Sequence, residues 1–72
     1  MSLEFLAFNI LSNGMSLTKQ EADEMRWNSV KFFRANRARF TLFCLILGEA
    51  KGVPSDSFLF KIREQVVAEA WD

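Results

Sequence analysis

Side chains that could perform chemistry are few and widely spaced in this sequence. There is no histidine and only one cysteine, Cys44, so a nucleophile finds no imidazole base and zinc finds no ligand set. Cys44 lies within the apolar run 40–47, where a thiol usually behaves as a small buried hydrophobe. Glu21, Asp23 and Glu24 lack the spacing and the central glycine of a calcium-binding loop. We therefore predict no catalytic, metal, cofactor or small-molecule site, and a protein that is not an enzyme.

Basic residues are concentrated in one segment, although the formal net charge of the chain is zero. Segment 26–39 has no acidic residue, and Trp27, Phe32 and Phe33 stand among its cations. Such a segment could contact phosphates with its cations and stack bases on its rings, although a solvated helix face has the same composition. The candidate phosphate-binding residues are Arg26, Lys31, Arg34, Arg37 and Arg39. A small nucleic-acid-binding protein is therefore the alternative function.

A second pattern, over residues 47–55, is loosely similar to the turn of a helix-turn-helix motif. Gly48 would be the small residue of its first helix, Gly52 the turn glycine and Val53 the buried residue after the turn. The following helix would begin with Asp56 and bulky apolar side chains, where base edges need Arg, Lys, Asn or Gln. This mismatch disfavours DNA reading by that helix.

Aromatic side chains are numerous for a chain of this length. Half of the residues are apolar, and there are eight Phe and two Trp among 72. A domain this small buries only ~60% of the surface of its unfolded chain, so some of these side chains should lie at the surface and mark an interface. Phe32 and Phe33, as neighbours, would serve the core on one side of a helix and a partner on the other. The candidate interface residues are Trp27, Phe32, Phe33, Phe58, Phe60 and Trp71.

These observations favour a non-enzymatic helical protein-interaction module. Its partner would be a second copy, forming a homodimer or other homo-oligomer, or a larger protein on which it docks as a small accessory subunit. The longest apolar run, 40–47, is far shorter than the ~20 residues of a membrane span. The N-terminus lacks the basic region of a secretory signal, and one cysteine cannot close an intrachain disulfide, so we expect a cytoplasmic location.

The elements that position these side chains are predicted to be helices. Apolar residues at helical spacing predict a first helix from Ser2 to Ser12, which Gly14 would end in a left-handed conformation. Thr18 and Glu21 match a capping box, so a second helix should start at Lys19. The triplet Met-Ser-Leu at residues 1–3 recurs at 15–17, which suggests that residues 1–3 are an expression leader or that Met15 is an alternative start.

Beyond Lys19 the sequence leaves alternatives open. Either one helix continues to about Lys51 or two helices meet at a bend near Asn36, and a buried strand over 40–47 is a third, less favoured reading. Pro54 predicts a break and Ser55 a cap for a last helix that ends near Trp71. We therefore predict an all-α fold, a single domain over residues 1–72 formed by a bundle of three to four helices, with the central segment between the first and last.

Overall fold

Five α-helices form the regular structure of residues 2–70, the part of the chain that the computed structural model describes (for Ala70, the backbone only). They are α1 (Leu3–Gly14), α2 (Lys19–Trp27), α3 (Ser29–Ala35), α4 (Arg37–Glu49) and α5 (Phe58–Ala70). No strand occurs in this range, so the all-α prediction is confirmed and the strand reading of residues 40–47 is wrong. The helix count exceeds the predicted three to four because the central segment is broken twice.

The first helix begins where the sequence indicates and ends later. The Ser2 hydroxyl accepts a hydrogen bond from the Phe5 N–H at 3.1 Å and so caps α1. The prediction for Gly14 is wrong, because Gly14 is still helical and the left-handed residue is Ser16, with φ of 54°. The role of Gly14 is steric and not conformational, because a Cβ at this position would lie 3.2 Å from Cδ1 of Ile46 on α4. Its missing side chain lets α4 approach the end of α1.

The capping box of α2 is confirmed in both of its hydrogen bonds. The Glu21 N–H donates to the Thr18 hydroxyl, and the Thr18 N–H donates to the Glu21 carboxylate, each at 3.1 Å. These bonds satisfy two backbone donors that the first turn of a helix leaves without partners. A local sequence pattern therefore sets the start of α2.

Two asparagines divide the central segment into α2, α3 and α4. Asn28 (φ −136°, ψ 53°) and Asn36 (φ −132°, ψ 67°) both leave the helical region. The Asn36 side-chain amide donates to the Phe32 carbonyl at 2.9 Å and thereby satisfies an acceptor near the end of α3. Asparagine side chains compete in this way with helical hydrogen bonds. Of the two helical readings left open, the bend near Asn36 is confirmed and the continuous helix to about Lys51 is wrong, whereas the break at Asn28 was not predicted.

The core forms around the short helix α3, which packs against α2, α4 and α5. Phe33 is fully buried, and its ring centroid lies 5.1 Å from those of Phe32, Phe40 and Phe43. Aromatic pairs at this separation add to the stabilisation that apolar burial provides. The expectation that Phe32 and Phe33 serve a core on one side and a partner on the other is therefore wrong. The breaks at both ends of α3 fold neighbouring helices against it, so both rings are buried within the chain.

The last helix starts at Phe58, two residues after the position that a cap at Ser55 predicts. Gly52 adopts a positive φ of 82°, but Ser55 does not cap a helix, and a turn carries the chain to Phe58. The Phe58 N–H donates instead to the carboxylate of Glu4 on α1, at 3.4 Å. A cap supplied from 54 residues away leaves no local sequence signal, which is why the predicted start was wrong.

None of the helices in residues 2–70 is long and apolar enough to cross a membrane.

Candidate interaction surface

The outer side of α1 carries large apolar side chains that contact solvent. Leu3, Leu6 and Ile10 are 60%, 48% and 55% exposed, whereas Phe8 and Leu11 of the same helix are buried. Positions 3, 6 and 10 follow the alternating three- and four-residue spacing that places side chains on one side of a helix. Helix α1 is therefore apolar on two sides, and only one of them packs against the described part of the chain.

A shallow apolar groove of about 270 Å³ runs beside this face. One wall comes from α1 and the other from the segment that follows α4. Lys51 is the only charged residue among those that line the groove. The lining residues are Leu3, Leu6, Ala7, Ile10, Ala50, Lys51, Gly52 and Val53. The groove therefore extends the apolar surface of α1 onto the turn region before α5.

On its other side, α1 is separated from α2 by a wider groove of about 390 Å³. Phe5, Phe8 and Leu17 supply much of its apolar lining, and Lys19, Asp23 and Arg26 add two positive charges and one negative charge. This groove therefore differs from the first one in being partly charged. The exposed apolar side chains of α1 and the smaller groove next to them thus form a surface on which Lys51 is the one charged lining residue.

The predicted interface residues differ widely in exposure. Trp27 is 76% exposed, whereas Phe58 and Phe60 are half-buried and pack against the core. Phe32 and Phe33 are buried, as described above, and Trp71 lies outside the described residues. Of the predicted set that the structure describes, Trp27 alone presents most of its side chain to solvent.

Arg26 lies among aromatic rings. Its guanidinium carbon is 5.9 Å from the ring centroids of Phe8 and Phe58 and 5.4 Å from that of Trp27. Each distance falls within the range of a cation–π contact. Arg26 therefore lies beside the first turn of α5, where its charge faces the rings of three helices.

The other basic residues are directed to different parts of the molecule. Arg34 donates to the Glu69 carbonyl at 3.3 Å, near the end of α5, and Arg39 forms an ion pair with Glu21. Glu69 is eleven residues from Phe58, which corresponds to about 16 Å along a helix. Arg26 and Arg34 thus lie near opposite ends of α5. Lys31 lines a polar groove beside α3, and Arg37 begins α4. The structure does not bring the five basic residues together into one compact patch.

Two titratable groups have pKa values shifted by their surroundings. The hydrogen bond from Arg39, followed by the one from the Thr18 amide, holds the pKa of Glu21 below its usual value. Partial burial raises the pKa of the Cys44 thiol, and the charge of Arg63 opposes this rise. At neutral pH the Cys44 thiol is therefore protonated and a poor nucleophile.

Within residues 2–70, no cluster of three or more Cys, Asp or Glu side chains could hold a metal ion.

The predicted interface residues omit the outer face of α1, because the apolar spacing of this helix was used only to predict its secondary structure. A signal was present: apolar residues occupy positions 3, 5, 6, 7, 8, 10 and 11, which surround most of the helix. Such a helix is either enclosed by its own chain or requires a partner. Helix α1 is not enclosed, since among the helices of residues 2–70 it packs mainly against α4 and α5.

The fold and this surface define a small all-α protein with an exposed apolar helix face. No protein-family model matches the chain, and comparisons with curated proteins and with solved structures give no significant match.

Proposed function

We propose that this chain is a non-enzymatic helical protein-interaction module, which forms a homodimer or docks as a small accessory subunit on a larger protein. The observation that carries the proposal is the exposure of Leu3, Leu6 and Ile10 along one side of α1. A contiguous apolar surface of this kind marks a contact site for another macromolecule. The groove next to it adds apolar surface without adding an acidic group.

Burial of this face would contribute part of the free energy that association needs. Fully burying a Leu or Ile side chain stabilises by about 1.5–3 kcal/mol relative to full exposure, so the roughly half-exposed residues of α1 retain about half of that each. Three such residues together offer about 2–4 kcal/mol before the entropic cost of association. Charged side chains do not contribute to this apolar burial. We therefore expect added salt to weaken the association only slightly.

We also propose that the protein is located in the cytoplasm. The support for this location is Cys44, a half-buried thiol whose raised pKa keeps it protonated. A protein with this thiol and no second cysteine fits a reducing compartment.

Site-specific photocrosslinking tests the interaction directly. A photoreactive amino acid at Ile10, in protein expressed in its source cells, should give a defined covalent adduct that mass spectrometry identifies. The matched control places the same group at Glu64, an exposed polar position on α5. The adduct should disappear when Leu6→Gln is added, because the polar side chain interrupts the same face. Equal, diffuse labelling from positions 10 and 64 would contradict the proposal.

A further inference from the structure

We infer that the partner of the α1 face is a second copy of this chain, packed helix against helix about a two-fold axis parallel to α1. The inference rests on the proposed function and specifies its partner. In this arrangement each residue of the face contacts its own counterpart, because a two-fold interface uses the same surface of both copies.

The spacing on α1 favours a second helix as the occupant. Leu3, Leu6, Ile10 and Asn13 are separated by three, four and three residues, which is the a–d–a–d pattern of a helix–helix seam. At about 100° per residue these positions fall within an arc of about 80°, directed away from buried Leu11. All four are exposed. A straight apolar strip of this width binds another helix more readily than it binds a partner with a flat or irregular surface.

Asn13, the fourth seam position, favours an identical helix over a different one. A side-chain amide has both a donor and an acceptor, so two copies facing each other across a two-fold axis can satisfy one another. An apolar partner would leave the Asn13 amide without a hydrogen bond when the seam is buried, at a cost in free energy.

The distribution of charged residues also allows two copies to associate through α1. The only charged residue of α1 is Glu4, and its carboxylate accepts a hydrogen bond from Phe58 of the same chain. The seam therefore has no ionised group that would repel its counterpart. Since the whole chain has a net charge of zero, two copies approach without overall repulsion.

The available area makes this a weak, reversible dimer. Helix α1 has 12 residues, and a helix of that length is about 18 Å long and about 10 Å across, giving a projected contact of roughly 180 Å² per copy. Stable interfaces bury about 800 Å² per partner. The groove lined by Ala50 and Val53 enlarges the contact beyond the seam, but we still expect a population of monomers at micromolar concentration.

Charge variants at position 13 test the arrangement. The solution mass is measured by sedimentation equilibrium for wild type, Asn13→Asp and Asn13→Lys, from about 10 µM to about 1 mM. Wild type should rise from the monomer mass of 8.3 kDa towards twice that value. Each variant alone should dissociate at least ~10-fold more readily, because like charges then face each other across the axis. An equimolar mixture of the two should recover association, because opposite charges now meet.

Val67→Gln is the matched control, since Val67 is 46% exposed on α5, away from the seam, and should leave the mass unchanged. Circular dichroism establishes that each variant is folded, which is expected because Asn13 is exposed. Wild type that stays monomeric at all concentrations would overturn the inference. Variants that associate like wild type, or that fail to recover on mixing, would also overturn it. A photocrosslink from Ile10 to another protein would then leave the proposed function standing without the second copy.

Discussion

The guanidinium of Arg39 on α4 forms an ion pair with the carboxylate of Glu21 on α2, across the short helix that separates them in sequence. The other oxygen of Glu21 accepts the Thr18 N–H of the capping box. One side chain therefore starts α2 and attaches it to α4. The pKa of Glu21 is lowered by these hydrogen bonds, with the one from Arg39 contributing most.

This pair makes stability depend on pH in a defined direction. Because the pKa of Glu21 is lower in the folded than in the unfolded chain, its contribution is present above the unfolded-state pKa. The contribution is lost as the pH falls through the folded-state pKa, where the carboxylate binds a proton. Glu21→Gln should therefore lower the Tm at neutral pH, and the difference from wild type should shrink as the solution is acidified.

Thermal unfolding followed by circular dichroism over a pH series measures this effect. Glutamine at position 21 can still accept the Thr18 N–H, so the variant removes the charge and keeps the cap. Glu24→Gln is the control, a change of the same chemistry at an exposed position of the same helix. A Tm difference for Glu21→Gln that persisted unchanged into acid would show that the ion pair with Arg39 is not its cause.

The helical glycines Gly14 and Gly48 should respond differently to alanine. A Cβ at Gly48 on α4 meets no atom within 4 Å. Gly48→Ala should therefore raise the free energy of unfolding by about 0.5–1 kcal/mol, through the higher helix propensity of alanine. Gly14→Ala should gain less or lose stability, because its Cβ would lie 3.2 Å from Cδ1 of Ile46. Urea unfolding of both variants measures the difference, and equal gains would mean that α1 and α4 are less closely packed than described.

Core and surface aromatics should differ sharply in their effect on stability. Phe33 is fully buried against three other rings, whereas Trp27 is 76% exposed. Phe33→Ala should cost about 3–5 kcal/mol, enough to unfold much of a protein of this size. Trp27→Ala should change the free energy of unfolding by about 1 kcal/mol at most, the value of its exposed cation–π contact with Arg26. Denaturant unfolding compares the two, and a folded, stable Phe33→Ala variant would contradict the burial of Phe33.

Local interactions within the sequence determined much of the secondary structure. The capping box at Thr18 and Glu21 needs only residues three apart, so the start of α2 could be predicted without any tertiary information. The apolar spacing of α1 and the interruption at Asn36 are equally local, and both predictions are confirmed to within a few residues. The all-α class follows from the same helical periodicity.

Tertiary structure decided the features that depend on residues far apart in the chain. Glu4 caps α5 from the other end of the sequence, so the true start at Phe58 has no local signature. The break at Asn28 places α2, α4 and α5 around α3, and this enclosure buries both Phe32 and Phe33.

The exposure of the candidate interaction surface also depended on tertiary packing. Periodicity shows that α1 has apolar residues on several sides, but only the packing of α4 and α5 determines which of them are covered. The side left exposed is the one with Leu3, Leu6 and Ile10. Likewise, the sequence places five cations within one segment, and the packing of α2 and α3 against α5 places Arg26 and Arg34 near its opposite ends. Side-chain chemistry is thus determined by sequence, whereas exposure and proximity depend on how the helices pack.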